Sequence, residues 1–207
     1  MNNSQVKPSG DGGINFLLVG VGGQGTILAS NILAHLGMKL DLDVKKAEVH
    51  GMSQRGGSVI SHVRWGEKVF SPIIEKGTGD VMLAFEKMEA NRYLDILKPE
   101  GIILVNDHSI MPITVSSGKS TYPEENFLQT NLKNASTNVY WIDGLGIAKE
   151  VGHPKTANVV LLGALSSLLD IPPEPWMEVI EKCVPSKFIE VNRRAFLAGR
   201  DRALIAV

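Results

Sequence analysis

Cysteine is almost missing from this chain: Cys183 is the only one in 207 residues. An intrachain disulfide is therefore excluded, as is an iron–sulfur cluster or zinc site held by cysteines of this chain alone. Scarce cysteine fits a reducing compartment, and the cytoplasm is the expected location. Long apolar runs are missing too, with no uninterrupted stretch of the roughly 18 residues that a membrane-spanning helix needs. Charge of one sign is missing: 21 basic and 22 acidic side chains leave a formal net charge of −1. Such a balance provides no basic field for nucleic acid and no polybasic stripe for a membrane. The chain also lacks a G-x-S-x-G elbow, an H-E-x-x-H pair, a Walker lysine and a cysteine pair. Its five histidines (His35, His50, His62, His108, His153) have no ligand spacing. A catalytic apparatus is hard to assemble from what is left, and a globular chain without one is often a subunit.

What is present is ordinary globular material, 43% hydrophobic and 21% charged, enough for one substantial core. Residues 1–13 are polar and read as a disordered tail, and residues 14–207 read as a single domain. Gly10-Asp11-Gly12 matches the opening of a thiamine-diphosphate motif, but it precedes the first strand instead of following a buried one, so it reads as chance. Ile14–Val19 is an apolar run ended by glycine, the pattern of a strand buried on both faces. Gly20-Val-Gly-Gly-Gln-Gly25 follows, and Thr26–Leu36 is helical in period before Gly37. Strand, glycine loop and helix are the context a G-x-G-x-x-G match requires. In that setting Gly20 permits the turn, Gly22 permits close approach to a pyrophosphate, Gly25 lets helix pack on strand, and Gly23 lies between them. Asp41 and Asp43 stand at about the interval of a ribose-binding acid, but alternate with Leu40, Leu42 and Val44 inside a strand-like run.

The stretch Glu48–Ser58 has neither hydrophobic period. It gathers His50, Gly51, Ser53, Gln54, Arg55, Gly56 and Gly57, so backbone N–H groups can approach a ligand closely beside a guanidinium fork. A polar connection between strands would read the same way. His50 is the one histidine in this setting and the weak candidate for acid–base work. Further along, Ser58–Trp65 alternates as a strand with Lys68–Ile74 returning as its hairpin partner. Asp80–Phe85 and Gly101–Asn106 read as buried strands, separated by a helix over Glu86–Leu97. Asn106 and Asp107 close a strand at its carboxyl end, where ligands gather in open α/β sheets. Ile113–Ser120 reads as a short strand, Tyr122–Leu132 as a polar helix, and Asn138–Ile142 as the last parallel strand. Asp143–Val151 starts a helix. Thr156–Leu169 is apolar all round and needs burial, with Gly163, Ala164 and Ser166 allowing close packing. Two amphipathic helices, Trp176–Cys183 and Ile189–Ala198, finish the chain. The fold class is α/β: a Rossmann-like three-layer sandwich, a mostly parallel sheet with a hairpin addition and C-terminal helices.

V-G-V-G-G-Q-G (19–25), E-V-H-G-M-S-Q-R-G-G-S-V (48–59), D-V-M-L-A-F-E (80–86), G-I-I-L-V-N (101–106), T-A-N-V-V-L-L-G-A-L (156–165) and V-N-R-R-A-F-L-A-G (191–199) occur in that order. Together they resemble the gamma-type domain of 2-oxoacid:ferredoxin oxidoreductases over nearly the whole chain. The resemblance implies an accessory subunit of a complex that decarboxylates a 2-oxoacid, indolepyruvate ahead of other aryl or branched 2-oxoacids. Electrons pass to ferredoxin and the acyl group to coenzyme A. It implies that a large alpha-type catalytic partner carries thiamine diphosphate, Mg²⁺ and [4Fe-4S] clusters, and that this chain holds none of them. By the same resemblance Gly20–Gly25 and Gly51–Gly57 face the shared site, with Arg55 on coenzyme A phosphates or a partner carboxylate. The rival readings are a free-standing NAD(P)- or flavin-dependent oxidoreductase, an adenylating enzyme with a G-x-G-G-x-G loop, and a scaffold whose glycine loops only pack against a partner.

Overall fold

The computed structural model describes residues 13–50, 57–169, 171–202 and 205–206. Its strands are β1 (Ile14–Val21), β2 (Asp43–His50), β3 (Ser58–Gly66), β4 (Gly79–Ala84), β5 (Leu97–Asn106), β6 (Val139–Ile142) and β7 (Ile205–Ala206). They form one sheet in the order β2-β3-β1-β4-β5-β6-β7. β1–β4, β4–β5 and β5–β6 pair in parallel, whereas β2–β3, β1–β3 and β6–β7 pair antiparallel. Followed through these pairings, five of the seven strands point one way and only β3 and β7 run back. The expected α/β class, mostly parallel with an antiparallel hairpin, is the architecture observed.

Helices cover both faces because alternate strand residues are apolar on both. The larger layer is built from α1 (Thr26–Lys39), α5 (Gly144–Glu150), α6 (Ala157–Leu168), α7 (Pro173–Cys183) and α8 (Ile189–Asp201). It packs on Phe16, Leu18, Val63, Trp65, Val81 and Leu83. The smaller layer has α2 (Lys87–Arg92) and α4 (Glu125–Ala135), with a single turn α3 (Ile113–Ser116) between them. It covers Leu17, Val19, Met82, Ile103 and Val105. Burying each such side chain contributes about 1.5–3 kcal/mol, so the core strands are held from two directions. α6 is buried along nearly its whole length, as its composition demands, and it crosses α8 at a glycine pair. A Cβ on Gly163 would lie 2.0 Å from the Phe196 carbonyl oxygen, and one on Gly199 would lie 2.0 Å from that of Val160.

Several local expectations are corrected. Lys68–Ile74 is not a strand. Both sides of β3 are already taken by β2 and β1, and Pro72 has no amide to offer a ladder. Arg64 instead holds this segment through the carbonyls of Ser71 and Ile73. The hairpin partner of β3 is β2, which precedes it. β2 begins only at Asp43, because Asp41 adopts a left-handed φ of 59° in the turn after α1. Gly37 does not end α1 but sits inside it, where its bare face admits the Trp65 indole and Val44. The Trp65 indole N–H reaches the Leu33 carbonyl at 3.1 Å. The helix expected over Glu86–Leu97 stops at Arg92 and continues as one 3-10 turn, Leu94–Ile96. Ile113–Ser120 supplies the single helical turn α3 in place of a strand. β7 has no counterpart among the sequence expectations. The motif at Gly10-Asp11-Gly12 and the tail before Gly13 lie outside the described residues.

Candidate functional site

β1 and β4 lie side by side, but the helices that follow them go to opposite faces: α1 joins the large layer and α2 the small one. This divergence makes a switch point, and open α/β sheets place ligands in the crevice outside the strand ends there. A cleft of about 370 Å³ occupies the position, lined in part by Gly23, Gln24, Gly25, Phe85, Lys155 and Asn158. Asn106, His108, Leu28, Ile110, Leu145, Pro154 and Ala157 complete its wall.

The glycine loop builds one side of the cleft. The Gln24 side chain closes the turn, accepting from the Val21 amide at 2.7 Å and donating to the Phe85 carbonyl at 2.7 Å. Gly20 has no room for a Cβ, which would meet Gln24 Oε1 at 2.9 Å. Gly25 is the N-cap of α1 at φ 81°, and no side chain caps the helix there. The first N–H groups of α1 therefore open toward a ligand, with the positive end of the helix dipole. Two buried polar atoms beside them have no partner: Thr26 Oγ1 and Asn158 Oδ1. Asn158 is 2% exposed, and its Nδ2 donates to the Gly25 carbonyl at 3.2 Å. The remaining Oδ1 is an acceptor, whereas the helix start supplies donors; the Thr26 hydroxyl is turned toward Gly20 and does not line the cleft. The site thus fits a ligand that carries both an anion and an N–H or O–H group.

One expected role of the loop is corrected. The Gly22 amide does not face the cleft as a phosphate donor, because it donates to the Gly57 carbonyl at 2.9 Å. The ribose-binding acid is also misplaced. Asp43 pairs with Gly66 at the far end of the sheet and accepts from the Val69 amide, about 25 Å from the glycine loop at the usual rise per strand residue. Asp41 lies before β2 at that same end. A dinucleotide seat on Gly20–Gly25 is not what this geometry forms.

Of the second glycine-rich stretch, Gly57 is described and His50 ends β2. Gly51, Ser53, Gln54, Arg55 and Gly56 lie outside the described residues. The stretch joins β2 to β3, and Gly57 brings its end against the glycine loop. Ser58 then pairs with Val21 across β1 and β3. Asn106 is a structural staple, donating to the Phe85 carbonyl and accepting from the Gly144 amide. Asp107 pairs with Lys87 Nζ at 2.5 Å, and Glu125 joins the same ammonium at 2.9 Å. Burial opposes the Lys87 charge, but the hydrogen bonds to Asp107 and Glu125 outweigh it and hold its pKa above the usual lysine value. His62 is a buried strand residue whose Nδ1 accepts from the Ile74 amide.

Behind the loop, α2 carries two buried acids. Glu86 caps that helix, accepting from the Glu89 amide, from the Ile110 amide and from the Tyr122 hydroxyl. Burial, then this bond, push the Tyr122 phenol well above its usual range. Glu89 accepts from Ser58 Oγ, which also meets the Tyr93 hydroxyl at 2.8 Å. Burial raises the Glu89 pKa, against the pull of Ser58 and Arg92, and the charge of Glu86 adds to the rise. Sequence reading missed Lys155, Asn158, His108 and Glu89. Asn158 had a signal, as a polar residue early in an otherwise apolar helix.

Among the described residues no cluster of three or more His, Cys, Asp or Glu could hold a metal ion. With one cysteine in the sequence, the donor set does not fit a [4Fe-4S] cluster. No helix among the described residues is long and apolar enough to cross a membrane.

Comparison with known proteins gives a consistent picture. The family model described as pyruvate ferredoxin/flavodoxin oxidoreductase matches residues 15–202. The chain is 42% identical to indolepyruvate oxidoreductase subunit IorB of Thermococcus kodakarensis, over 89% of this chain and 93% of that one. It is 40% identical to the protein of the same name from Pyrococcus horikoshii, with the same coverage of 89% and 93%. The crystal structure of a keto/oxoacid ferredoxin oxidoreductase gamma subunit from Geobacter sulfurreducens superposes with a TM-score of 0.66 at 25% identity. That match covers 91% of this chain and 96% of the other.

Proposed function

Because the chain belongs to the pyruvate ferredoxin/flavodoxin oxidoreductase family, we propose that it is the accessory subunit of an indolepyruvate:ferredoxin oxidoreductase. The complex converts a 2-oxoacid and coenzyme A to the acyl-CoA and CO₂, releasing one proton and passing two electrons to ferredoxin. Thiamine diphosphate with Mg²⁺ supplies carbon–carbon bond cleavage, and [4Fe-4S] clusters supply the electron path. In this reading both belong to a large catalytic partner: one cysteine cannot hold a [4Fe-4S] cluster, and among the described residues no cluster of His, Cys, Asp or Glu could hold a metal ion. Indolepyruvate is the favoured substrate because the relatives at 42% and 40% identity are named for it.

In this reading the chain contributes the coenzyme A side of the site. The observation that carries it is the switch-point cleft, with an uncapped helix start, Lys155 in its wall and an unpartnered Asn158 carbonyl oxygen. Coenzyme A has the matching set: phosphates for the N–H groups and Lys155, amide N–H groups for Asn158, and apolar spacers for Leu28, Phe85 and Leu145. Arg55 adds a second cation from the stretch between β2 and β3. The free-standing dinucleotide enzyme is disfavoured by the engaged Gly22 amide and the distant Asp43.

The test is an anaerobic co-purification with the large partner, assayed with indolepyruvate, coenzyme A and ferredoxin. Lys155→Glu and Arg55→Ala should each raise KM for coenzyme A about tenfold, the equivalent of one charge-assisted contact, and leave KM for the 2-oxoacid unchanged. Unaltered coenzyme A kinetics in both variants would remove the cleft from the reading.

A further inference from the structure

We propose that Glu89 is a positioning residue that locks the tip of the β2–β3 hairpin onto the glycine loop and so sets the shape of the cleft. Gly57 and Ser58 are clamped from two sides. The Gly57 carbonyl takes the Gly22 amide at 2.9 Å. The Ser58 hydroxyl donates to Glu89 Oε2 at 2.5 Å and meets the Tyr93 hydroxyl at 2.8 Å. Glu89 and Tyr93 stand one turn apart along α2 and its C-cap, so the clamp ties three separate parts of the chain together.

A carboxylate 3% exposed is an unusual choice for a purely structural bond, because burying it is costly unless its oxygens are engaged. Here both are: Oε2 by Ser58, Oε1 by Arg92 Nε at 3.3 Å. Arg92, Glu86, Tyr93 and Ser58 are the charged and hydroxyl groups around it. A cavity of about 160 Å³ beside the pair is lined by Val21, Ser58, Glu86, Glu89, Arg92 and Ile110 among others. The clamp therefore borders open space, and with Glu89 removed the Ser58 hydroxyl would keep only the Tyr93 hydroxyl as a side-chain partner. Val21 lines this cavity, and Gly23 lines the larger cleft. Release of Ser58 then reaches the cleft through the Gly57–Gly22 bond.

The coenzyme A readout rests on the function proposed above; the exchange readout does not. Both are measured on the complex of this chain with its large partner, for Glu89→Ala, Glu89→Gln and Ser58→Ala. Glu89→Ala should raise KM for coenzyme A about tenfold, the equivalent of one hydrogen bond to a charged group, with kcat within about twofold. Amide exchange at Gly57–Ile60 should quicken in the same variant. Glu89→Gln keeps an acceptor oxygen for Ser58 and should restore most of both. Ser58→Ala should copy Glu89→Ala, and the double variant should be no worse than either single one. Should Glu89→Ala fail to fold, Ser58→Ala decides alone. Unchanged exchange at the tip overturns the proposal, as do unchanged coenzyme A kinetics with quickened exchange, or additive effects in the double variant. A wild-type complex that ignores coenzyme A would sink the functional reading instead, with tip exchange still deciding the role of Glu89.

Discussion

At the scale of single residues, close packing makes one side chain a sensor of pH and leaves another position no room for a side chain at all. His62 lies 5% exposed, and desolvation lowers its pKa below the ordinary histidine value of about 6.5. The unfolded chain binds the proton more readily than the folded one in that range, so stability falls as pH drops below about 6.5. Urea midpoints should therefore decline from pH 7.5 to pH 5.5, and His62→Gln should flatten that part of the profile. Gly25 is the other sharp case. Its φ of 81° and the Asn158 Nδ2 at 2.6 Å from a would-be Cβ leave no place for a side chain. Gly25→Ala should cost about 1–2 kcal/mol from the backbone alone, with added displacement of Asn158. The chemical-denaturation midpoint checks the first effect. Cys183, touched by His35 Nδ1 at 3.3 Å, is kept as a thiol by burial, which raises its pKa.

At the scale of elements, the α6–α8 crossing should be the most fragile contact in the large layer. A methyl on Gly163 would collide with a backbone carbonyl and not with a movable side chain, so the helices must separate. Gly163→Ala should destabilise by about 3 kcal/mol, at the upper end for overpacking, measured in urea. The sequence carried that crossing plainly, since an all-round apolar helix with small residues has few ways to be satisfied. It also carried β1, β4 and β5, where apolar runs end at Gly20, Glu86 and Asn106. It did not carry the partner of β3. Neither Lys68–Ile74 nor Asp43–His50 alternates cleanly, and pairing between strands depends on which neighbour is free, which no local pattern states. The same limit hid the site's polar wall. Gln24 stands more than a hundred residues from Lys155 and Asn158, and only the β1–β4 divergence brings them together. The glycine loop was legible as a loop, but not the fact that the Gly22 amide is engaged by Gly57.

At the scale of the whole molecule, the sheet is protected unevenly. β1, β4 and β5 are central and covered on both faces, whereas β2 is an edge and β7 is two residues long. Amides of β1, β4 and β5 should exchange only through global unfolding, and those of β2 much sooner, as hydrogen-exchange mass spectrometry can read. Uniform protection across the sheet would contradict this ordering. The three tryptophans divide between the layers in a useful way. Trp65 and Trp176 belong to the large-layer core, but Trp141 belongs to the small one. The Lys87 ammonium lies 5.5 Å from the centre of the Trp141 ring, fixed by Asp107 and Glu125 at the mouth of the sheet. The Lys87 amide donates to the carbonyl of His108, itself part of the cleft wall. A charge held beside one indole shifts its ultraviolet emission, so a variant keeping only Trp141 should report occupancy of the cleft as a change of emission wavelength, read by titrating coenzyme A.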